Sequence, residues 1–277
     1  MNRELLTFYG LKCNPFATDL PVESLMATPA VESFCRRIEH HLLRQGGYAM
    51  ITGEPGTGKS VALRLLAHRL KRIEGLRVAV LTHPSSKLGD FYREMGDLFG
   101  IELMPSNRWG GFRDLRERWL AHLDDTRMRP LLLVDEAQEL PDAVFAEIRL
   151  LAATDFDSRA ILSVVFAGDN RLVARMRRPD LRPIASRLRQ RLVMGPADPD
   201  ELARLLEHLL DEAGNPALMN AALKDTLVAH AAGNPRALTV MADTLLAAAA
   251  EDEREVLDEK LFLDTWGEPP KRRRARR

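Results

Sequence analysis

The chain has 277 residues, 45% hydrophobic and 29% charged, with 40 basic side chains balanced by 40 acidic ones. That composition describes a globular protein able to bury a sizeable core; it excludes a disordered chain and a nucleic-acid binder driven by bulk charge. Two cysteines, Cys13 and Cys35, make neither a disulfide framework nor a metal site. No apolar run approaches the ~20 residues of a membrane span, and the first residues lack the basic-then-apolar pattern of a secretory signal. A cytoplasmic protein with no membrane segment is therefore expected.

Residues 1–47 read as an entry segment. Asn14-Pro15-Phe16, Pro21 and Pro29 interrupt it, and Val31, Phe34, Ile38 and Leu42 then fall at helical spacing over 30–43. Gly46-Gly47 ends that helix. Residues 48–52 form a short apolar run, and 61–70 read as a helix. Further apolar runs follow at 78–81, 131–134, 161–166 and 191–194. Helical patterns lie between them at 88–99, 113–123 and 143–151. Runs of four to six apolar residues alternating with helices predict a parallel sheet covered on both faces, here over 48–196. Trp109 and Trp119 are expected to be packing residues.

After Pro196 only helices are predicted. Asp198 caps the first, with Glu201 placed for a capping box; Asn220 starts the second, and Asn234-Pro235 the third. A last helix covers 257–265. The expected division is an entry segment at 1–47, a nucleotide-binding core at 48–196, a helical lid at 197–266 and a basic tail at 267–277.

Between the first run and the first core helix lies Gly53-Glu54-Pro55-Gly56-Thr57-Gly58-Lys59-Ser60, followed by Val61. The glycines let the backbone wrap closely around phosphate oxygens, Lys59 can reach the β- and γ-phosphates, and Ser60 can offer its hydroxyl to Mg²⁺. The strand–loop–helix context places a helix N-terminus beside the anion. The apolar run at 131–134 ends in Asp135 and Glu136. A buried strand can deliver both carboxylates at its C-terminal edge, Asp135 to Mg²⁺ and Glu136 to the attacking water. ATP and Mg²⁺ are the expected cofactors.

Three further residues suit that chemistry. Arg236, in Gly233-Asn234-Pro235-Arg236, opens a helix and could swing onto the γ-phosphate. Arg187 precedes the fifth run and could serve a neighbouring subunit's site. Asp169 or Asn170, after the fourth run, could act as a polar sensor near the water.

These motifs together resemble the ExeA-type branch of the AAA+ ATPases, which includes a secretion ATPase and the transposition helpers TniB and TnsC. The likeness is carried by Gly53 to Ser60, by Val134-Asp135-Glu136-Ala137-Gln138-Glu139-Leu140, by Glu147-Ile148-Arg149-Leu150-Leu151 and by Gly233-Asn234-Pro235-Arg236. The resemblance implies an α/β fold with a five-stranded parallel sheet of order 5-1-4-3-2, a helical lid and ATPase sites at subunit contacts. It also implies a finger role for Arg187 and a second sensor role for Arg236. One departure is visible: many relatives have a plain Asn or Thr where this chain offers Gly168-Asp169-Asn170.

The resemblance implies a slow, Mg²⁺-dependent, assembly-stimulated ATPase that forms an oligomer or filament. Absence of a membrane segment points to the transposition-helper kind, with duplex DNA and a transposase as partners. Eight arginines between Arg171 and Arg191, and the block Lys271 to Arg277, would supply the basic surface. A relative of the secretion ATPase acting on protein partners, and a binding switch with negligible turnover, are the competing expectations.

Overall fold

The computed structural model describes residues 3–103, 107–156 and 158–266. It divides the chain into two compact units: residues 27–195, and residues 1–26 together with 196–277.

Residues 27–195 hold a five-stranded parallel sheet of β1 (Gly47–Gly53), β2 (Val78–Leu81), β3 (Leu131–Val134), β4 (Ser163–Gly168) and β5 (Leu188–Met194). The strand order is β2-β3-β4-β1-β5, the expected order read from the other edge. β4 pairs with β1 from Gly47↔Ser163 to Thr52↔Gly168 and with β3 from Leu131↔Ser163 to Val134↔Phe166. Alternate residues of each strand face opposite ways. Tyr48, Met50, Leu132, Val134, Val164 and Phe166 accordingly join one core, and Ala49, Ile51, Leu131, Leu133, Val165 and Ala167 the other. That two-sided burial explains why the strands read as unbroken apolar runs.

Helices cover both faces. α1 (Pro29–Arg37), continued by a π turn over Ile38–Leu42, and α2 (Lys59–Leu70) bury Phe34, Ile38, Leu42 and Leu66 against one face. α3 (Leu88–Phe99), α4 (Arg108–Thr126), α5 (Asp142–Leu151) and α6 (Asn170–Met176) cover the other. Trp119 is buried there, as expected; Trp109 is exposed instead and stacks on Phe112 at 5.9 Å. The fourth strand starts later than expected. The Ile161 and Leu162 amides donate to the Ala152 carbonyl (2.8 and 3.3 Å), so the ladder begins only at Ser163.

The second unit is helical: α7 (Pro199–Ala213), α8 (Ala221–Ala231), α9 (Pro235–Glu251) and α10 (Glu259–Trp266). Leu206, Leu210, Leu223, Leu227, Leu238, Leu245 and Phe262 form its core. The expected entry segment of 1–47 is split between the units. Tyr9, Leu11, Phe16 and Leu20 are buried in the helical core, whereas 27–47 belongs with the sheet. Hydrogen bonds tie the first residues down: Lys12 N–H to Ala213 O (2.8 Å), Asn215 Nδ2 to Tyr9 O (2.7 Å) and Asn14 Nδ2 to Asp243 Oδ1 (2.8 Å). Phe16, in the Asn14-Pro15-Phe16 break, is a core residue of this unit.

Helix starts follow the sequence closely. Asp198 accepts from Glu201 N–H (2.7 Å), and Asn220 from Leu223 N–H (2.8 Å). Asn234 accepts from both Arg236 N–H (3.0 Å) and Ala237 N–H (3.2 Å). Replacing Asn234 with Ala leaves two amides of the first turn of α9 without that acceptor. The expected cost is about 1 kcal/mol, read as a lower urea midpoint with an unchanged slope.

Candidate active site

The phosphate-loop sequence lies at the C-terminal end of β1, an interior strand of the sheet between β4 and β5. Its backbone is wound tightly, with φ of 87° at Gly56 and 96° at Gly58. Gly53 is dictated by close approach: a Cβ there would stand 2.3 Å from Met194 O and 2.6 Å from Thr57 Oγ1. Thr57 Oγ1 donates to Glu54 O (2.8 Å), bracing the loop internally. Lys59 opens α2 and is buried; its Nζ donates to Gly53 O (2.9 Å) and Glu54 O (3.1 Å). A buried ammonium held against a tightly wound glycine loop at a helix N-terminus is the kind of donor that phosphate oxygens require. Ser60 and Val61 follow in the first turn of α2.

β3 lies two strands from β1 in the sheet. At ~4.8 Å per strand, the residues after Val134 stand about 10 Å from the phosphate loop, along the same edge. Asp135 is half-buried and Glu136 exposed. Glu136 adopts a left-handed backbone (φ 48°, ψ 40°), a conformation that costs a non-glycine residue of order 1 kcal/mol. Its amide donates to Asp135 Oδ1 (2.9 Å). Its carboxylate accepts from Gln138 Nε2, and Gln138 Oε1 in turn accepts from Asp169 N–H at 3.3 Å. The β3 and β4 loops are thus joined through one buried amide side chain.

Asp169 and Asn170 diverge. The Asp169 carboxylate caps α6, accepting from Arg171 N–H (2.8 Å), and pairs with Arg171 Nε (2.9 Å). Asn170 Nδ2 donates to Glu54 Oε1 of the phosphate loop. Of the two candidates after the fourth strand, Asn170 is the one whose side chain touches the loop. Gln138 and Arg175 were not among the expected site residues. Arg175 donates to Gln138 O (2.7 Å) and Leu140 O (2.6 Å), pinning the acidic turn. Only the presence of Gln138 within the quoted Asp-Glu-Ala-Gln stretch signalled it in the sequence.

Arg187 is half-buried, and its carbonyl accepts from Tyr48 N–H (3.3 Å) at the start of β1. The run from Tyr48 to Gly53 separates it from the loop of its own chain by roughly 17 Å at ~3.3 Å per residue. Arg236 is exposed in the first turn of α9, in the helical unit. Within the sheet unit the structure therefore brings together Gly53 to Ser60, Asp135, Glu136 and Asn170 and leaves Arg187 apart from them, while Arg236 belongs to the helical unit.

The arginine-rich stretch differs from its sequence appearance. Arg171 pairs with Glu139 (2.9 Å) as well as Asp169, and Arg178 with Asp142 and Asp180 (both 3.0 Å). Arg175 also pairs with Asp142, whose carboxyl is held below the usual carboxylate range by hydrogen bonds from Arg175 and then Arg178. Three of the eight arginines are thus neutralised locally, while Arg177, Arg182 and Arg191 are exposed. The block Lys271 to Arg277 lies outside the described residues.

With phosphate loop, acidic strand end and 5-1-4-3-2 sheet in one unit, the architecture is that of a P-loop NTPase. Residues 36–176 match the family model described as AAA domain, and the chain belongs to that family. It is 29% identical over 248 residues to General secretion pathway protein A of Aeromonas hydrophila, in line with the ExeA-type resemblance. That match covers 87% of this chain and 44% of the relative, so the chain spans less than half of the relative's length.

Two solved structures share the fold. The ORC2 protein of Aeropyrum pernix, in ADPNP and ADP complexes, has a TM-score of 0.70 at 16% identity, over 91% of this chain and 70% of that one. The ORC1 protein of Aeropyrum pernix, in complex with DNA, has a TM-score of 0.67 at 17% identity, over 90% and 67%. Among the described residues no helix is long and apolar enough to cross a membrane.

Proposed function

We propose that this chain is a Mg²⁺-dependent ATPase whose sites are completed where subunits meet. The observation that carries the reading is the placement of Asp135 and Glu136 on the same sheet edge as the wound phosphate loop and buried Lys59. The loop amides and Lys59 bind the β- and γ-phosphates. The Ser60 hydroxyl and the Asp135 carboxylate are hard oxygen donors that fit Mg²⁺, which when bound neutralises charge on those phosphates. Glu136 orients and polarises the attacking water. Asn170, rather than Asp169, is placed to report on the γ-phosphate, because the Asp169 carboxylate is engaged in capping α6. Arg236 is proposed to sense the nucleotide from the helical unit.

Arg187 is proposed to act on a neighbouring subunit, since its own phosphate loop lies at the far end of β1. The test is a mixing experiment. Arg187→Ala subunits and Glu136→Gln subunits should each be slow alone and partly active together, because one contact then joins an intact finger to an intact carboxylate. No recovery at any ratio, with co-assembly shown by pull-down, sinks the action in trans.

For the target of the ATPase we propose duplex DNA, on which ATP-bound subunits assemble, in the cytoplasm, to assist a transposase. Exposed Arg177, Arg182 and Arg191, the block Lys271 to Arg277, and the DNA-bound structural relative support it. Binding should be tighter with a non-hydrolysable ATP analogue, since assembly multiplies weak contacts. Its log K should fall with log salt by ~0.9 per phosphate neutralised, and deleting 271–277 should flatten that slope. Fluorescence anisotropy of a labelled duplex is the measurement. The second reading, a secretion-type ATPase acting on protein partners, is favoured by the 29% identity to General secretion pathway protein A and by the local pairing of Arg171, Arg175 and Arg178. No DNA binding at low salt with the analogue present decides for it.

A further inference from the structure

Glu136 is exposed, and an exposed glutamate has several freely turning bonds between its backbone and its carboxylate. A carboxylate that has to meet one water at one place needs to be held. A tether is present. Gln138 is 6% exposed, and both ends of its amide are engaged: Nε2 donates to the Glu136 carboxylate, and Oε1 accepts from Asp169 N–H at 3.3 Å. These partners fix which way round the amide lies, because a backbone N–H only donates and a carboxylate only accepts.

Two neighbours keep the amide in place. Gly168 ends β4, and a Cβ there would stand 2.5 Å from Gln138 Oε1. Glycine at that position is what admits the glutamine. Arg175 Nη1 donates to Gln138 O (2.7 Å) and holds its backbone. The direction of the tether also matters. Glu136 follows β3, Asp169 follows β4, and the sheet runs β3-β4-β1 on the way to the phosphate loop. A bond to an amide anchored at the end of β4 therefore draws the Glu136 carboxylate toward the loop. From the loop side, Asn170 Nδ2 donates to Glu54 Oε1, so the same short stretch after β4 is fixed to both.

We propose that Gln138 is the positioning residue of the hydrolytic step, aiming the Glu136 carboxylate across the end of β4. The inference rests on the reading of Glu136 as the group that polarises the attacking water. Gln138 acts through Glu136 and is assigned no contact with the nucleotide. The rival account makes Gln138 a buried acceptor for Asp169 N–H and nothing more. The two differ in what happens when Glu136 is gone: a positioning residue then has nothing to aim, whereas a structural one is missed as before.

The test uses the full chain and Gln138→Met, which keeps the length and bulk of the side chain and removes both hydrogen bonds. Turnover at saturating ATP, read as phosphate release, should fall about 10- to 100-fold. KM and the affinity for a fluorescent ATP analogue should stay within about twofold of the parent. In a Glu136→Ala background the same substitution should slow the residual turnover by less than about twofold. Gly168→Ala is the second variant. Gln138 Oε1 is the far end of a flexible side chain, so it yields to the added methyl and the amide leaves its place. Turnover should fall there too, with analogue affinity kept. Gln138→Met or Gly168→Ala at the parent rate overturns the positioning role, as does an equal loss from Gln138→Met with and without Glu136. If Glu136→Ala itself turns over at the parent rate, the reading of Glu136 fails, and the role of Gln138 falls with it.

Discussion

Glu136→Gln will bind ATP as the parent does and hydrolyse it about 10²- to 10⁴-fold more slowly, the range that a positioned general base supplies. The substitution keeps the size and the hydrogen-bonding reach of the side chain and removes its charge. Lys59, the loop amides and Asp135 are untouched, so phosphate affinity is preserved. Glu136 is exposed, and its left-handed backbone suits Gln no worse than Glu, so the fold should not suffer. Phosphate release measures turnover, and a fluorescent ATP analogue measures binding. Lys59→Ala is the contrasting case. It removes a buried ammonium that donates to two carbonyls of the loop, so binding itself should weaken. A Glu136→Gln protein that turns over at the parent rate refutes the assignment of this carboxylate.

Phe166→Ala is expected to lose about 3–5 kcal/mol of stability, the range for emptying an aromatic site in a packed core. Phe166 is fully buried in β4, between β1 and β3. Its ring packs on Tyr48 (6.0 Å between centroids) and Phe145 (5.4 Å), so it joins β1 and α5 through one side chain. Neither neighbour can refill the space without moving its own element. The loss should be read as a lower urea midpoint for the unit that binds nucleotide. Phe166→Leu should cost less than half as much. A loss below ~1 kcal/mol for the alanine variant would show that the sheet collapses around the gap.

The nucleotide end of this molecule was legible because its chemistry is written in consecutive residues. Gly53 to Ser60 and Val134-Asp135-Glu136 need no distant partner to be recognised, and strand runs buried on two faces announce themselves. What the sequence hid depends on partners far along the chain. The arginines from Arg171 to Arg178 read as a basic patch because Glu139 and Asp142, which neutralise them, lie some thirty residues earlier. Asn170 and Asp169 are adjacent in sequence, and only the start of α6 separates their roles. The helix predicted over 113–123 begins earlier, at Arg108, and Gly110 and Gly111 lie inside it. A glycine stands at 111 inside that helix because a Cβ there would press on the Tyr92 ring at 3.0 Å. Pairing of this kind leaves no periodic trace.

The split of the entry segment bears on how the protein is made. Residues 3–26 leave the ribosome before the sheet unit, but the helices that cover Tyr9, Leu11, Phe16 and Leu20 begin only at Pro199. The whole sheet unit, residues 27–195, is synthesised in between. At ~5–20 residues per second, that interval lasts roughly 10–30 s. The sheet unit, continuous in the chain, can complete itself in that time. The helical unit has to wait for both of its ends, with four apolar side chains uncovered meanwhile. A nascent chain stalled before Pro199 should therefore present a finished nucleotide domain behind a sticky N-terminal arm, a natural handle for a chaperone.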